Sequence, residues 1–350
     1  MKDTAMEDQQ LAARLRRLPK VELHLHLDGA VRPQTLLALA AAEGRALPAA
    51  EPEALRRYMQ VEPGCSSLPE YLRTFDLVLP SMQRGAALER IACETVLDCA
   101  ADGVRHVEIR FAPQLHRRQG LSVRQAAAHV LAGMRRGEAA SKTTASAIAI
   151  CMRHHETAVN LEVIEEAAPL LGHGLAAVDL AGDETAYPAS RFREVFAAAR
   201  RHRLPVTIHA GEAAGVHNIR EAIEHLGASR IGHGVRLRED PALLELVRAR
   251  GIALEMCPLS NMQTGAAASW DRYPLRTYWQ QGLRVSVNTD NPTVSGTTLS
   301  AEYARLVRQG GLPISAVPEL ARNAIDAAFL STARRAALHE ELEQALLDWD

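Results

Sequence analysis

The residues best suited to chemistry in this chain are histidines and carboxylates at the ends of short apolar runs. The first run, VELHLHLDGA over residues 21–30, carries His24 and His26 two positions apart. In a β-strand, side chains two apart share a face, so both imidazoles aim at one spot. Two converging imidazoles are half of a metal site. His209 in HAGE and Asp290 in NTDN close two further runs and supply a third imidazole and a carboxylate. Neutral imidazoles with one carboxylate suit Zn²⁺ and leave a position open for water. A bound Zn²⁺ lowers the pKa of that water toward ~7, so hydroxide is available at neutral pH.

Glu212 lies three residues beyond His209, at the same strand end. It can point into the same pocket without being a ligand. A carboxyl there, its pKa raised by burial, can protonate a ring nitrogen while hydroxide attacks the adjacent carbon. The plainer reading is a helix N-terminal glutamate acting as a cap or dipole partner. His233, in RIGHGV, sits between two glycines that keep the backbone compact. Its imidazole is placed to orient or deprotonate the water.

These groups need a scaffold that brings distant strand ends together. Seven apolar or β-branched runs follow the first: residues 104–111, 145–153, 175–182, 206–212, 230–235, 252–260 and 284–291. The intervals between them have helical texture. RFREVFAAARRH has apolar residues at helical spacing, and DPALLELVRARG opens on an Asp-Pro cap and closes on Gly. Strands alternating with helices indicate a parallel sheet, and eight such units predict a closed (β/α)₈ TIM barrel with its site at the C-terminal strand ends. The strand ends HLHLDG, DLAGDE, HAGE, GHG and NTDN are polar there. One domain is expected over residues 1–350. Residues 31–100 or so read as a helical insertion lying over the mouth, broken by Pro and Gly, and residues 298–350 or so as closing helices.

Together these pieces resemble the adenosine deaminase family of the amidohydrolase superfamily. The likeness runs from PKVELHLHLDGA through VEIRFAPQLH, DLAGDE, HAGE, RIGHG and EMCPLSN to NTDNP, almost the whole chain. It implies Zn²⁺, one per chain, held by His24, His26, His209 and Asp290. It implies Glu212 as proton donor to purine N1, His233 as the residue that positions the hydroxide, and Asp290 as acceptor of a hydrogen bond from the attacking water. Water then adds to C6 and ammonia leaves, turning adenosine or deoxyadenosine into inosine or deoxyinosine in purine salvage. His26 and Asp28 would face the ribose, the N–H of Gly182 would meet N3, and Asn291 would meet N7. In related barrels a carboxylated lysine bridges two metals, but lysine occurs here only at Lys2, Lys20 and Lys142, none ending a middle strand. Many family members have Asp-Asp where this chain has Asp290-Asn291. N7 is an acceptor, and the Asn291 amide donates in its ordinary state whereas an aspartate must first hold a proton.

Two other readings keep most of these residues: a deaminase of a modified adenine nucleoside such as aminodeoxyfutalosine, and a silent barrel that binds metal or nucleoside without turnover. Asp28, where the adenine deaminase branch has Glu, favours a nucleoside over the free base, and no Gly-rich or Arg-rich phosphate cradle is evident. The net charge of −2 over 350 residues gives no footprint for nucleic acid or for a membrane surface. No apolar run reaches the ~18 residues of a membrane span, and the N-terminus lacks the apolar core of a signal peptide. Five cysteines without a CxxC pair read as reduced thiols in a cytoplasmic protein. Oligomeric state has no signature. Of the remaining polar groups, His154 and His155 end the third run, His217 reads as a helix start, and Glu108 with Arg110 as a structural ion pair.

Overall fold

The computed structural model describes residues 2–62, 64–65 and 67–349; Pro63, one of the breakers expected in the insertion, lies outside them, as do Met1, Ser66 and Asp350. All eight expected runs contain a strand: β1 (Lys20–His26), β2 (Val104–Phe111), β3 (Thr144–Met152), β4 (Leu175–Ala181), β5 (Thr207–Ala210), β6 (Arg230–His233), β7 (Ala253–Met256) and β8 (Val285–Val287). Sequential neighbours pair in parallel, as two four-stranded sheets in the orders β1-β2-β3-β4 and β5-β6-β7-β8. Single bridges join the sheets at both seams: Val178 with Val206 between β4 and β5, and Leu25 with Asp290 just past β8. At the second seam the His26 N–H donates to the Asp290 carbonyl and the Asp290 N–H to the His24 carbonyl, both at 2.8 Å. Bringing the first and last strands together and assembling three candidate ligands are therefore one backbone event.

Local sequence fixes the helices between the strands. The Asp240 carboxylate accepts the N–H groups of Ala242 at 3.1 Å and Leu243 at 3.0 Å, starting the helix Pro241–Ala249 where its Asp-Pro was expected to. Ser122 and Gln125 form a reciprocal capping box ahead of Val123–Ala139. That helix packs against Gly85–Ala101, the crossover helix leading into β2. Between β1 and this crossover lie the helices Pro33–Ala42, Pro52–Met59, Leu68–Leu72 and Phe75–Val78. Toward the other end, Val317–Ala327 packs on β8 and β1, flanked by Leu299–Arg308 and Thr332–Leu346. The polar N-terminal stretch, for which the sequence suggested no element, forms a helix over Lys2–Arg17.

Apolar side chains from the strands, Ile109, Val178, Ile208, Ile231, Leu254 and Val285 among them, are fully buried in one continuous core. Buried charges accompany them. Arg110 on β2 reaches Asp179 on β4 at 3.0 Å and Glu255 on β7 at 2.7 Å, while Arg230 on β6 reaches Glu255 at 2.7 Å and Glu108 on β2 at 2.6 Å. This corrects the expected Glu108–Arg110 pair. Both residues are buried as anticipated, but each finds its partner on another strand, because two side chains on one strand face stand side by side rather than meeting. All five cysteines are unpaired, four of them buried. No described helix is long and apolar enough to cross a membrane.

Candidate active site

His24, His26, His209 and Asp290 converge at the C-terminal strand ends. His26 Nε2 lies 3.1 Å from His209 Nε2, and Asp290 Oδ1 lies 3.4 Å from His24 Nε2 and 3.3 Å from His26 Nε2. Four ligands held ~2.0–2.1 Å from one tetrahedral ion stand about 3.3 Å apart, so the spacing fits a single metal. His24 Nε2 is buried and has no hydrogen-bond partner, which leaves its lone pair for such an ion. Asp290 takes a left-handed backbone, φ 61°, locked by the seam hydrogen bonds described above. Burial would raise the Asp290 pKa, but the surrounding imidazoles outweigh it and hold the carboxylate ionised, well below its usual range.

In His24, His209 and His233 the second ring nitrogen separates ligand from helper. His24 Nδ1 donates to Glu255 at 3.0 Å and His209 Nδ1 to Asp179 at 2.9 Å, so in both rings the metal-facing Nε2 is bare. Burial and the nearby Arg110 lower the His24 pKa to about 4, keeping that ring neutral. At His209 burial lowers the pKa, yet Asp179 more than offsets it and makes the ring the stronger base. His233 is also near, since one donor atom each of His24, His209, His233 and Asp290 lie within 4.8 Å of one another. Its environment is the reverse. The Tyr273 hydroxyl takes the Asn261 carbonyl oxygen at 3.0 Å, and the Asn261 amide donates to His233 Nδ1 at 2.9 Å. The proton of a neutral His233 then sits on Nε2, which suits a donor to water or substrate better than a metal ligand.

Glu212 is 7% exposed, and its Oε2 faces His233 Nε2 at 3.6 Å while Thr264 donates to Oε1 at 3.0 Å. Burial raises its pKa; His233 and His209 pull it down while Asp290 and Glu184 push it up, and the net shift is upward, so the carboxyl keeps its proton above the usual range for glutamate. A cavity of about 390 Å³ opens in front of these groups. Asp28, Gly182, Asn291 and His26 line it, as do Leu68, Tyr71, Leu72, Phe75 and Leu79 from the stretch between β1 and β2. Gly182 has φ 110°, a backbone conformation other residues rarely adopt, so its place at the cavity wall needs glycine for conformation as well as for bareness. Asn291 packs onto Gly29 so closely that a Cβ there would fall 2.0 Å from Asn291 Oδ1. Of the groups left aside by the sequence reading, His154 lines the cavity; His217 opens the short helix His217–Glu221, as read from its position.

Sequence reasoning missed the supports of this site. Asp179 and Glu255 fix the ligand histidines, Ser260 donates to Asp290 Oδ2 at 2.6 Å, and Asn261 and Thr264 hold His233 and Glu212. The signal was there for two of them: AVDLA and ALEM each place one acid in an otherwise apolar strand, which demands a buried partner. Ser260, Asn261 and Thr264 carry no such signal, because they act through contacts with distant strands.

A parallel barrel with this cluster at its strand ends is that of an amidohydrolase-type enzyme. The family model described as adenosine deaminase matches residues 19–345. An adenosine deaminase of Enterococcus faecalis is 38% identical over 335 residues, 96% of this chain and 99% of that protein. Among solved structures, an adenine deaminase of Arthrobacter aurescens superposes with a TM-score of 0.87 at 29% identity, covering 94% of this chain and 99% of that one. An amidohydrolase of Burkholderia ambifaria with bound Zn gives 0.86 at 26% identity, covering 97% and 94%. The chain belongs to the adenosine deaminase family and is a hydrolytic deaminase.

Proposed function

We propose that this enzyme converts adenosine and 2′-deoxyadenosine to inosine and deoxyinosine with release of ammonia, as a cytoplasmic purine-salvage activity. The observation that carries the reading is the opposite tautomeric setting of the rings around one cavity: bare Nε2 atoms on His24 and His209, an Nε2–H on His233, and a proton-holding Glu212 beside it. His24, His26, His209 and Asp290 would hold one Zn²⁺, which when bound makes water nucleophilic at neutral pH. His233 donates through Nε2 to the oxygen that adds to C6, and Asp290 accepts that water's hydrogen bond. Glu212 gives its proton to N1, so the ring accepts electrons as the C6–O bond forms. Of the water's two protons one passes to the C6 amine, which leaves as ammonia when the C6–N bond breaks and C6=O forms, and the other restores Glu212. The Gly182 N–H to N3 and the Asn291 amide to N7 orient the base, while His26 and Asp28 face the ribose. Leu68, Tyr71, Leu72, Phe75 and Leu79 act as an apolar lid that excludes water. Unpaired cysteines suit a reducing cytoplasm.

A second reading has one observation in its favour. The Arg118 side chain lines the cavity and makes no hydrogen bond or ion pair among the described residues, which suits a substrate bearing an acid on its 5′ side. Ammonia release by the zinc-loaded chain from adenosine, deoxyadenosine, adenine, AMP and aminodeoxyfutalosine separates the two. The proposal expects the first two to be fastest. Preference for aminodeoxyfutalosine or AMP would move the enzyme to an acidic substrate, and silence on all five would overturn deamination of these purines.

A further inference from the structure

Glu184 ends the DLAGDE segment, was given no role from sequence, and is 3% exposed. Its carboxylate collects three backbone N–H groups from the loop after β5. Oε1 accepts from Glu212 at 2.6 Å and Ala214 at 2.8 Å, and Oε2 accepts from Gly211 at 3.0 Å. Its own carbonyl takes the Asn218 amide at 3.4 Å, and Asn218 in turn accepts the Ala189 N–H at 2.8 Å. Two residues before Glu184 is Gly182, in the cavity wall. The side chain therefore ties the loop that presents the Gly182 backbone to the loop that presents the Glu212 carboxyl. Arg153 borders the same junction and binds the carbonyls of His209 at 2.8 Å and Tyr187 at 2.6 Å.

We propose that Glu184 is a positioning residue that holds the proton donor Glu212 in register with the Gly182 edge of the base pocket. The inference rests on the functional reading above, in which those two elements meet N1 and N3 of one purine ring. These ring atoms are fixed relative to each other, so the two loops must be fixed too. A carboxylate with three N–H donors does this without touching substrate. Glu184→Gln keeps size but turns one oxygen into a donor, which opposes a backbone N–H whichever way the amide lies.

The test uses the full-length, metal-loaded chain. Glu184→Gln is expected to lower kcat by ~10–100-fold with KM changed far less, the scale of a ~1 Å misplacement of a reacting group. The Glu184→Gln/Glu212→Gln double variant is expected to be no slower than Glu212→Gln alone, because Glu184 acts through Glu212. Multiplied losses in the double variant, or unchanged kcat in the single one, would overturn the inference. If Glu184→Gln does not fold, Glu184→Asp, which keeps the charge but withdraws it by one methylene, is read in the same cycle. Amide hydrogen exchange serves as a readout independent of turnover. Residues 211–214 should exchange at least ~10-fold faster in the variant while β5 stays protected, and equal exchange would refute the tether. If the wild-type chain leaves adenosine untouched while this exchange difference is present, the functional reading fails and the tether stands.

Discussion

Replacing Glu255 by Gln probes whether a buried carboxylate strengthens the ligand histidine it accepts from. The carboxylate accepts from four donors: His24 Nδ1 at 3.0 Å, Arg110 Nη2 at 2.7 Å, Arg230 Nε at 2.7 Å and Thr207 Oγ1 at 2.8 Å. Burial alone would raise its pKa, but Arg110 and Arg230 outweigh it and keep it ionised. An amide nitrogen in the Oε2 position would oppose Arg110 and invite the His24 proton to move to Nε2, removing a ligand lone pair. In the Oε1 position it would oppose Arg230, whereas the Thr207 hydroxyl can turn and accept. The second placement costs less, since Arg230 keeps Glu108 and the Ala327 carbonyl, and in it His24 Nδ1 still donates, now to a neutral amide oxygen instead of a carboxylate. Breaking a buried pair costs ~3–5 kcal/mol, and the surviving partners place this case at the lower end, about 3 kcal/mol. Metal affinity should fall ~10–100-fold, or ~1.4–2.7 kcal/mol. Urea unfolding of the metal-free protein measures the first quantity, and competition with a chromogenic chelator the second. A folded Glu255→Gln variant with wild-type metal affinity would refute the argument that the Glu255 charge strengthens His24 as a ligand.

Three further outcomes follow from the same geometry. Glu212→Gln should reduce kcat by ~10²–10⁴-fold while the metal stays bound. Because burial raises the Glu212 pKa and its protonated form is the active one, wild-type activity should fall as pH rises through that raised value. The stability linked to Glu212 is fully present below its unfolded pKa and lost across the same rise, and the Gln variant should show shallower slopes than wild type in both activity and stability; identical slopes in the two proteins would contradict this. Asn291→Asp should stay active at low pH and lose activity as its buried carboxyl ionises and ceases to donate, so superimposable pH profiles would sink the assigned donor role. Gly29→Ala drives a methyl into Asn291 and should raise KM more than it lowers kcat, and an unchanged KM would mean Asn291 does not hold the base.

The barrel was legible because the strands are short apolar runs, most of them ending in polar residues, and a parallel strand buried on both faces needs only such a run. The ligands were legible for a related reason: His24 and His26 at strand spacing have no packing explanation. Asp290 was found as a residue type, but not its left-handed backbone, which depends on pairing with β1 266 positions earlier by number, at His24. The buried charges were the hard part. Glu108 and Arg110 look like partners along the chain, yet the barrel offers each a better one across its interior. Asn261 and Thr264 look like ordinary helix polar residues until the fold sets them against His233 and Glu212.

The most direct test of the account is a metal titration of the chelator-stripped protein, followed by ammonia release from adenosine. Activity should rise linearly with added Zn²⁺ and level off at one ion per chain, with Glu212→Gln binding the same single ion and staying inactive. Full activity in the stripped protein, or a plateau only at two ions per chain, would contradict a single-metal site built from His24, His26, His209 and Asp290.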